Sequence, residues 1–209
     1  MKGKMEQRAD PRRILKIPWI YRFFQEVIGG DALRRRFINE YVRARKGDKV
    51  VDIGCGPAQY LLWLPSVEYI GIDTDETYIN AARKKYGGRG VFLVGSSETL
   101  FDDHRFLNAD TVICSGVLHH LDDEEVVRLL KFAHKILKTG GRLVSIDSCW
   151  VRNQGILAKW IMSKDRGGNI RTEEHYRELA ERVFPSVKTT INLTPMRIPT
   201  TCVIMECAK

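Results

Sequence analysis

From Lys49 onward the sequence alternates short, continuously apolar runs with stretches of helical spacing, and this alternation restricts the fold more than any other feature. The apolar runs fall at residues 50–53, 69–72, 91–94, 111–114 and 143–146. Strict alternation of apolar and polar residues, the pattern of a half-buried strand, is missing, so each run reads as a strand covered on both faces. Helical patterns over 58–64, 76–86 and 123–137 lie between them. In the last, Val126, Leu130, Ala133 and Leu137 recur every three or four residues, and Gly140-Gly141 supplies a stop. Buried strands separated by helices imply a doubly wound α/β sheet. The rhythm then changes. Residues 148–171 read as an irregular, partly helical insertion, and 172–184 as a helix opening Thr172-Glu173-Glu174. Residues 187–193 and 202–207 read as two closing strands joined by a linker with Pro195 and Pro199.

The formal charge of +8 suggests nucleic acid until it is located. Residues 1–46 hold 13 Lys/Arg against 5 Asp/Glu, whereas residues 47–209 hold 21 of each. A basic arm ahead of a neutral body differs from a basic groove across a folded face, so nucleic acid is not the expected partner. Within the arm, Ile17, Trp19, Ile20, Phe23, Phe24, Val27 and Ile28 form an apolar stretch ended by Gly29-Gly30. Asp31 can cap a second helix running to about Arg45. Residues 1–46 read as a helical arm or lid packed on a body of residues 47–209, with Tyr21 toward the substrate. Its aromatic residues beside Arg and Lys also fit contact with a membrane surface. The apolar runs are too short to span a bilayer, and the first dozen residues lack the apolar core of a secretory signal. Cys55, Cys114, Cys149, Cys202 and Cys207 show no metal-binding spacing. They read as reduced thiols of a cytoplasmic protein with no metal site.

The sharpest local signal is Val50-Val51-Asp52-Ile53-Gly54-Cys55-Gly56-Pro57-Ala58. Gly54 and Gly56 would let a ligand approach the backbone, and the helix start that follows offers unpaired N–H groups. Such a turn could hold a dinucleotide's pyrophosphate or another nucleoside's carboxylate. The dinucleotide pattern requires glycine at position 59, which is Gln59, and Asp52 is placed to accept from the turn or from a ligand's ammonium group. Asp73 closes the second strand, 19 residues beyond Gly54, where a carboxylate can take both hydroxyls of a ribose. Asp75 is the better helix cap, which leaves Asp73 for a ligand. Gly95-Ser96-Ser97-Glu98 could meet an adenine edge or cap the next turn. The segment from Cys114 to Asp123 faces the crevice beyond the strand ends.

These four pieces, VVDIGCGPA, YIGID, SGVLHHLDDEE and LKTGGRLVSID, resemble the class I S-adenosylmethionine-dependent methyltransferases over about residues 45–150. The resemblance implies a Rossmann-like, seven-stranded, mostly parallel sheet with an antiparallel last strand inserted beside the fifth, and helices on both faces. It implies S-adenosylmethionine as cofactor and S-adenosylhomocysteine as product. Asp52, Gly54, Cys55 and Gly56 would contact the methionine part, and Asp73 with Thr74 the ribose. Ser96, Ser97 and Glu98 occupy the adenine region, while Ser115, Gly116 and His119 line the floor beneath the methyl group. Family members commonly carry glycine at the place of Ala58, and many an aspartate in the region of Ser96 and Ser97.

Methyl transfer to a hydroxyl usually needs a base, and His119, or alternatively His120, follows strand four where one is wanted. Asp147, after strand five, could orient the acceptor. Trp150, Trp160 and Met162 could wall an apolar part of the substrate or pack the insertion. Arg166 and Arg171, in a Gly-rich stretch, could meet an anionic group, with Tyr176 and Arg197 as further substrate contacts. A small-molecule acceptor is the expected partner, with the acceptor atom and oligomeric state open. An RNA or protein methyltransferase docking through the basic arm, and a non-catalytic cofactor-binding module, are the other readings.

Overall fold

A computed structural model describes residues 30–163, 168–192 and 201–209. Its sheet is built from β1 (Lys49–Ile53), β2 (Glu68–Asp73), β3 (Val91–Val94), β4 (Ala109–Ser115), β5 (Leu137–Trp150), β7 (Ser186–Asn192) and β8 (Cys202–Ala208). The strand order is β3-β2-β1-β4-β5-β8-β7, and only β8 runs antiparallel to its neighbours. A two-residue strand, β6 (Arg171–Thr172), pairs with Cys149 and Trp150 at the outer end of β5. The expected Rossmann-like arrangement is therefore present, with the last strand inserted beside the fifth.

Alternate residues of each strand serve two cores. Val51 and Ile53 of β1, with Val203 and Met205 of β8, pack against α3 (Asp123–Ile136) and against α5 (Glu173–Glu181), the helix that follows α4 (Ile156–Met162). Val50, Tyr69 and Ile204 pack on the other face against α2 (Glu76–Tyr86) and Phe37, Ile38 and Val42. Those three belong to a π-helical segment, Phe37–Val42, that continues α1 (Gly30–Arg36) and closes at Arg43, whose φ is +48°. Residues 1–29 lie outside the described residues, and Tyr21 with them.

Local chemistry sets the helix ends. Asp122 accepts from the backbone N–H of Glu125, while Glu125 accepts from that of Asp122, so both ends of a capping box are made at the head of α3. Asp75 caps α2 by accepting from Thr77, as anticipated. Thr172 caps α5 by accepting from His175.

Two boundaries differ from expectation. The glycine pair does not stop α3. The helix ends at Ile136, and Gly140 (φ +74°) shapes an irregularity that lets β5 begin at Leu137, with Ala109 opposite Leu137 and Thr111 opposite Arg142. The pattern over 58–64 narrows to one 3-10 turn, Gln59–Leu62, and Ala58, in the left-handed region (φ +55°, ψ +43°), stands before it as the cap residue. That conformation costs an alanine about 1–2 kcal/mol. Its fully buried methyl regains about 0.8 kcal/mol, which offsets part of that cost.

Candidate active site

Strand order reverses between β1 and β4, which opens a crevice at their C-terminal ends. The turn after β1 forms one wall. The backbone N–H groups of Gly54 and Cys55 both donate to Ile72 O, at 2.8 and 3.0 Å. The N–H of Gly56 donates to Asp73 Oδ2 at 2.8 Å, and that of Asp75 to Asp73 Oδ1 at 2.8 Å. Asp73 is thus not left idle by its neighbour's capping role. It ties the glycine turn to β2 before any ligand arrives, and Thr74 stands exposed beside it.

The two glycines do different work. A Cβ on Gly54 (φ +71°) would come within 2.3 Å of Val117 Cγ2, so this turn packs directly on the loop after β4. A Cβ on Gly56 (φ +53°) would meet nothing within 4 Å, which leaves its face open to a ligand. The Cys55 side chain is buried against Gly71, and burial, then Asp52 and Asp73, push its thiol well above the usual range.

Asp52 is fully buried. Tyr69 donates its hydroxyl to Asp52 Oδ2 at 2.7 Å, whereas Oδ1 finds no hydrogen-bond partner among the described residues. Burial raises this carboxyl to about 7, with the Tyr69 bond opposing and Asp73 adding to the rise. Gly71 stands opposite Asp52 across the strand pair, and a Cβ there would lie 3.1 Å from the Tyr69 ring. The missing side chain lets Tyr69 reach across. Sequence reasoning missed Tyr69, although a glycine opposite a buried aspartate was its signal.

The adenine-region residues mostly serve their own turn. Ser96 Oγ accepts from the N–H groups of Glu98 and Thr99, and Glu98 pairs with Arg128 at 2.8 Å on the surface. Ser97 is half-buried. Beyond β4, Ser115 shares a 2.7 Å hydrogen bond with the hydroxyl of half-buried Tyr60, and the Gly116 N–H donates to Ile146 O.

His119 is 6% exposed and its Nδ1 lies 2.8 Å from Asp147 Oδ1. The His119 backbone N–H donates to the same oxygen at 3.3 Å. Burial raises the Asp147 carboxyl, opposed by its bonds to His119, and Oδ2 has no hydrogen-bond partner among the described residues. Exposed His120 packs its ring 4.2 Å from that of His119. The ends of β4 and β5 therefore bring a buried carboxylate and an imidazole together, which spacing alone did not join.

Trp150 is half-buried and lines a cleft of about 360 Å³ with Asp123, Asn169, Ile170, Thr172 and His175. Met162 is buried. Two of the expected substrate contacts, Arg171, which also lines this cleft, and Tyr176, already have partners within the protein. Arg171 is buried, with Nε on Asp123 Oδ1, Nη1 on Leu118 O and Asn169 O, and Nη2 on Leu121 O, at 2.7 to 3.0 Å. Tyr176 is fully buried and donates to Ser148 O at 3.1 Å. Tyr176 is tied to backbone, and Arg171 to backbone and to the Asp123 carboxylate, where β6 draws their segment under the loop after β4. Arg166, Arg197 and the Trp160 side chain lie outside the described residues. Among the described residues no group of three or more His, Cys, Asp and Glu could hold a metal ion, and no helix is long and apolar enough to cross a membrane.

Comparison with known proteins agrees with this geometry. A family profile described as a methyltransferase domain matches residues 51–145, from β1 into β5. Anthranilate N-methyltransferase of Ruta graveolens is 26% identical over 70% of this chain and 42% of its own length. Geranyl diphosphate 2-C-methyltransferase of Streptomyces lasalocidi is 28% identical over 73% and 53%. The chain spans about half the length of the curated relatives it matches. A solved geranyl diphosphate C-methyltransferase from Streptomyces coelicolor superposes with a TM-score of 0.66 over 85% of this chain and 80% of that one, at 16% identity. The matched segment supplies the glycine turn, Asp73 and the loop after β4 in one crevice, so residues 51–145 form a class I S-adenosylmethionine-dependent methyltransferase domain.

Proposed function

We propose that this chain methylates a small-molecule acceptor by in-line displacement, with His119 taking the acceptor's proton and Asp147 fixing its ring. The observation that carries this reading is the buried 2.8 Å contact between His119 Nδ1 and Asp147 Oδ1 at the crevice. A carboxylate on Nδ1 selects the tautomer that leaves Nε2 as the proton acceptor. Bound S-adenosylmethionine supplies a methyl group activated by a sulfonium. The residues present fit such a ligand. The orphaned Asp52 Oδ1 suits an ammonium group, and the open face of Gly56 suits close approach of a backbone-contacting ligand. Asp73 accepts two amides, and a carboxylate has about four acceptor sites, so two ribose hydroxyls can still be served.

The relatives named above are, by their names, an N-methyltransferase and a C-methyltransferase, both of small molecules. They support the acceptor class and leave the acceptor atom open. The body of residues 47–209, the arm of 1–46 and a cytoplasmic location belong to the same proposal, as does contact of the basic arm with an anionic membrane surface. The test is transfer of radiolabelled methyl from S-adenosylmethionine into cell extract separated into small-molecule, lipid, RNA and protein fractions. Label among the small molecules or lipids is expected. Label in RNA or protein would make the arm a macromolecular docking surface, and no label anywhere would favour a binding module.

A further inference from the structure

We propose that Arg171 is a positioning residue for the His119–Asp147 pair, holding the peptide between Leu118 and His119 from the side opposite Asp147. This rests on the reading of His119 given above. The peptide group is gripped at both ends. Its N–H donates to Asp147 Oδ1, and its carbonyl accepts from Arg171 Nη1 at 2.9 Å. The same guanidinium reaches Leu121 O at 2.7 Å and Asp123 Oδ1 at 2.8 Å, spanning the loop from before His119 to the head of α3. Nη1 also reaches Asn169 O, while the Asn169 N–H donates to His119 O at 3.1 Å.

The cleft-lining segment and the His119 loop are therefore one hydrogen-bonded unit with Arg171 at its centre. The guanidinium is itself fixed. The Tyr176 ring flanks it with its centroid 5.7 Å away, and His175 Nε2 lies 2.9 Å from the other oxygen of Asp123. Arginine suits the place because its planar fork presents five donors at once, which a lysine ammonium cannot direct to acceptors this far apart. The consequence for chemistry is orientation. The imidazole tautomer depends on the Asp147 contact, and that contact depends on a peptide plane which Arg171 holds.

The test reads His119 itself by nitrogen NMR of the full chain labelled at histidine, in wild type, Arg171→Met, Arg171→Lys and Asp123→Asn. S-adenosylhomocysteine affinity and a thermal melt are measured alongside. Wild type is expected to show a single tautomer protonated at Nδ1, with that proton protected from exchange. Arg171→Met and Arg171→Lys are expected to mix the tautomers and speed exchange of the Nδ1 proton about tenfold or more. Asp123→Asn should give an intermediate effect, and affinity for S-adenosylhomocysteine should stay within about threefold. A wild-type His119 signature in every folded Arg171 variant would overturn the proposal. If Arg171→Met fails to fold, Arg171→Lys and Asp123→Asn decide by the same signature. Failure of wild type to bind S-adenosylhomocysteine would instead count against the function reading, since the His119 spectrum is read without that ligand.

Discussion

Asp147 meets His119 twice through one oxygen, at ring Nδ1 and at the backbone N–H. That arrangement fixes both the ring and the peptide that carries it. A proton-accepting role for His119 predicts that His119→Ala or His119→Asn lowers methyl transfer by about 100-fold or more, the usual range for such a group. Cofactor affinity should be nearly intact. Asp147→Asn should do the same in smaller measure by disturbing the tautomer. The check is the rate against pH, where wild type should lose activity as the imidazole protonates and the His119 variants should lose that limb. An unchanged profile would remove His119 from proton transfer.

Asp73→Ala should weaken binding of S-adenosylhomocysteine severely. Sequence alone suggests a ligand-only role and therefore an unaltered melting temperature. The structure adds a cost, because the amides of Gly56 and Asp75 both lose their acceptor. Two half-exposed bonds of this kind are worth about 1–2 kcal/mol together, or a fall of about 2–8 °C for a chain of this size. Calorimetry and a thermal melt on one preparation separate the two effects. Normal affinity in the variant would exclude Asp73 from the cofactor site.

Gly54 and Gly56 should respond differently to the same substitution. Gly54→Ala sets a methyl against Val117 and strains a left-handed residue, costing about 2–4 kcal/mol. Val117→Ala in the same chain should recover part of that. Gly56→Ala meets open space and pays only the conformational term, about 1–2 kcal/mol, but fills the face left for a ligand. Melting should therefore fall further for Gly54→Ala, and S-adenosylhomocysteine affinity should fall about tenfold or more for Gly56→Ala. Equal affinity in Gly56→Ala and wild type would mean that nothing approaches this face.

What was legible in the sequence was whatever a short window can carry. The apolar runs gave the strands because two-sided burial leaves no polar alternation, and Asp75 was readable as a cap because capping acts within three residues. The content of the site was legible where a turn requires particular conformations, as at Gly54 and Gly56. The internal partners of Arg171 were not legible, because a Gly-rich segment poor in apolar residues carries no local sign of what it packs against. The residues it bonds at Leu118, Leu121 and Asp123 sit 48 to 53 positions earlier. The partnership of His119 with Asp147, 28 positions apart, likewise exists only once β4 and β5 are paired. The start of β5 was misplaced for a related reason, since the glycine pair bends a strand that continues on both sides of it.

The buried carboxyl of Asp52 gives the chain a distinct dependence on pH. Its ordinary value of 3.8 is raised to about 7 by burial, and it faces Tyr69, Cys55 and the carboxylate of Asp73. Between pH 4 and 7 the folded protein holds a proton that the unfolded chain has lost. Stability from this group is therefore full below about pH 4, falls as pH rises toward 7, and is flat above that. The slope reaches at most about 1.4 kcal/mol per pH unit. Asp52→Asn lacks this loss, so its melting temperature relative to wild type should climb from pH 5 to pH 8. Binding should show the counterpart. A ligand ammonium beside Oδ1 favours the carboxylate, so S-adenosylhomocysteine should bind wild type more tightly as pH rises to about 7 and release a proton below it. Calorimetry at pH 6 in two buffers of different ionisation enthalpy reads that proton directly, and Asp52→Asn should abolish it. A melting difference that stays constant from pH 5 to pH 8 would mean that Asp52 is already ionised across the range and that Oδ1 has a partner in solution.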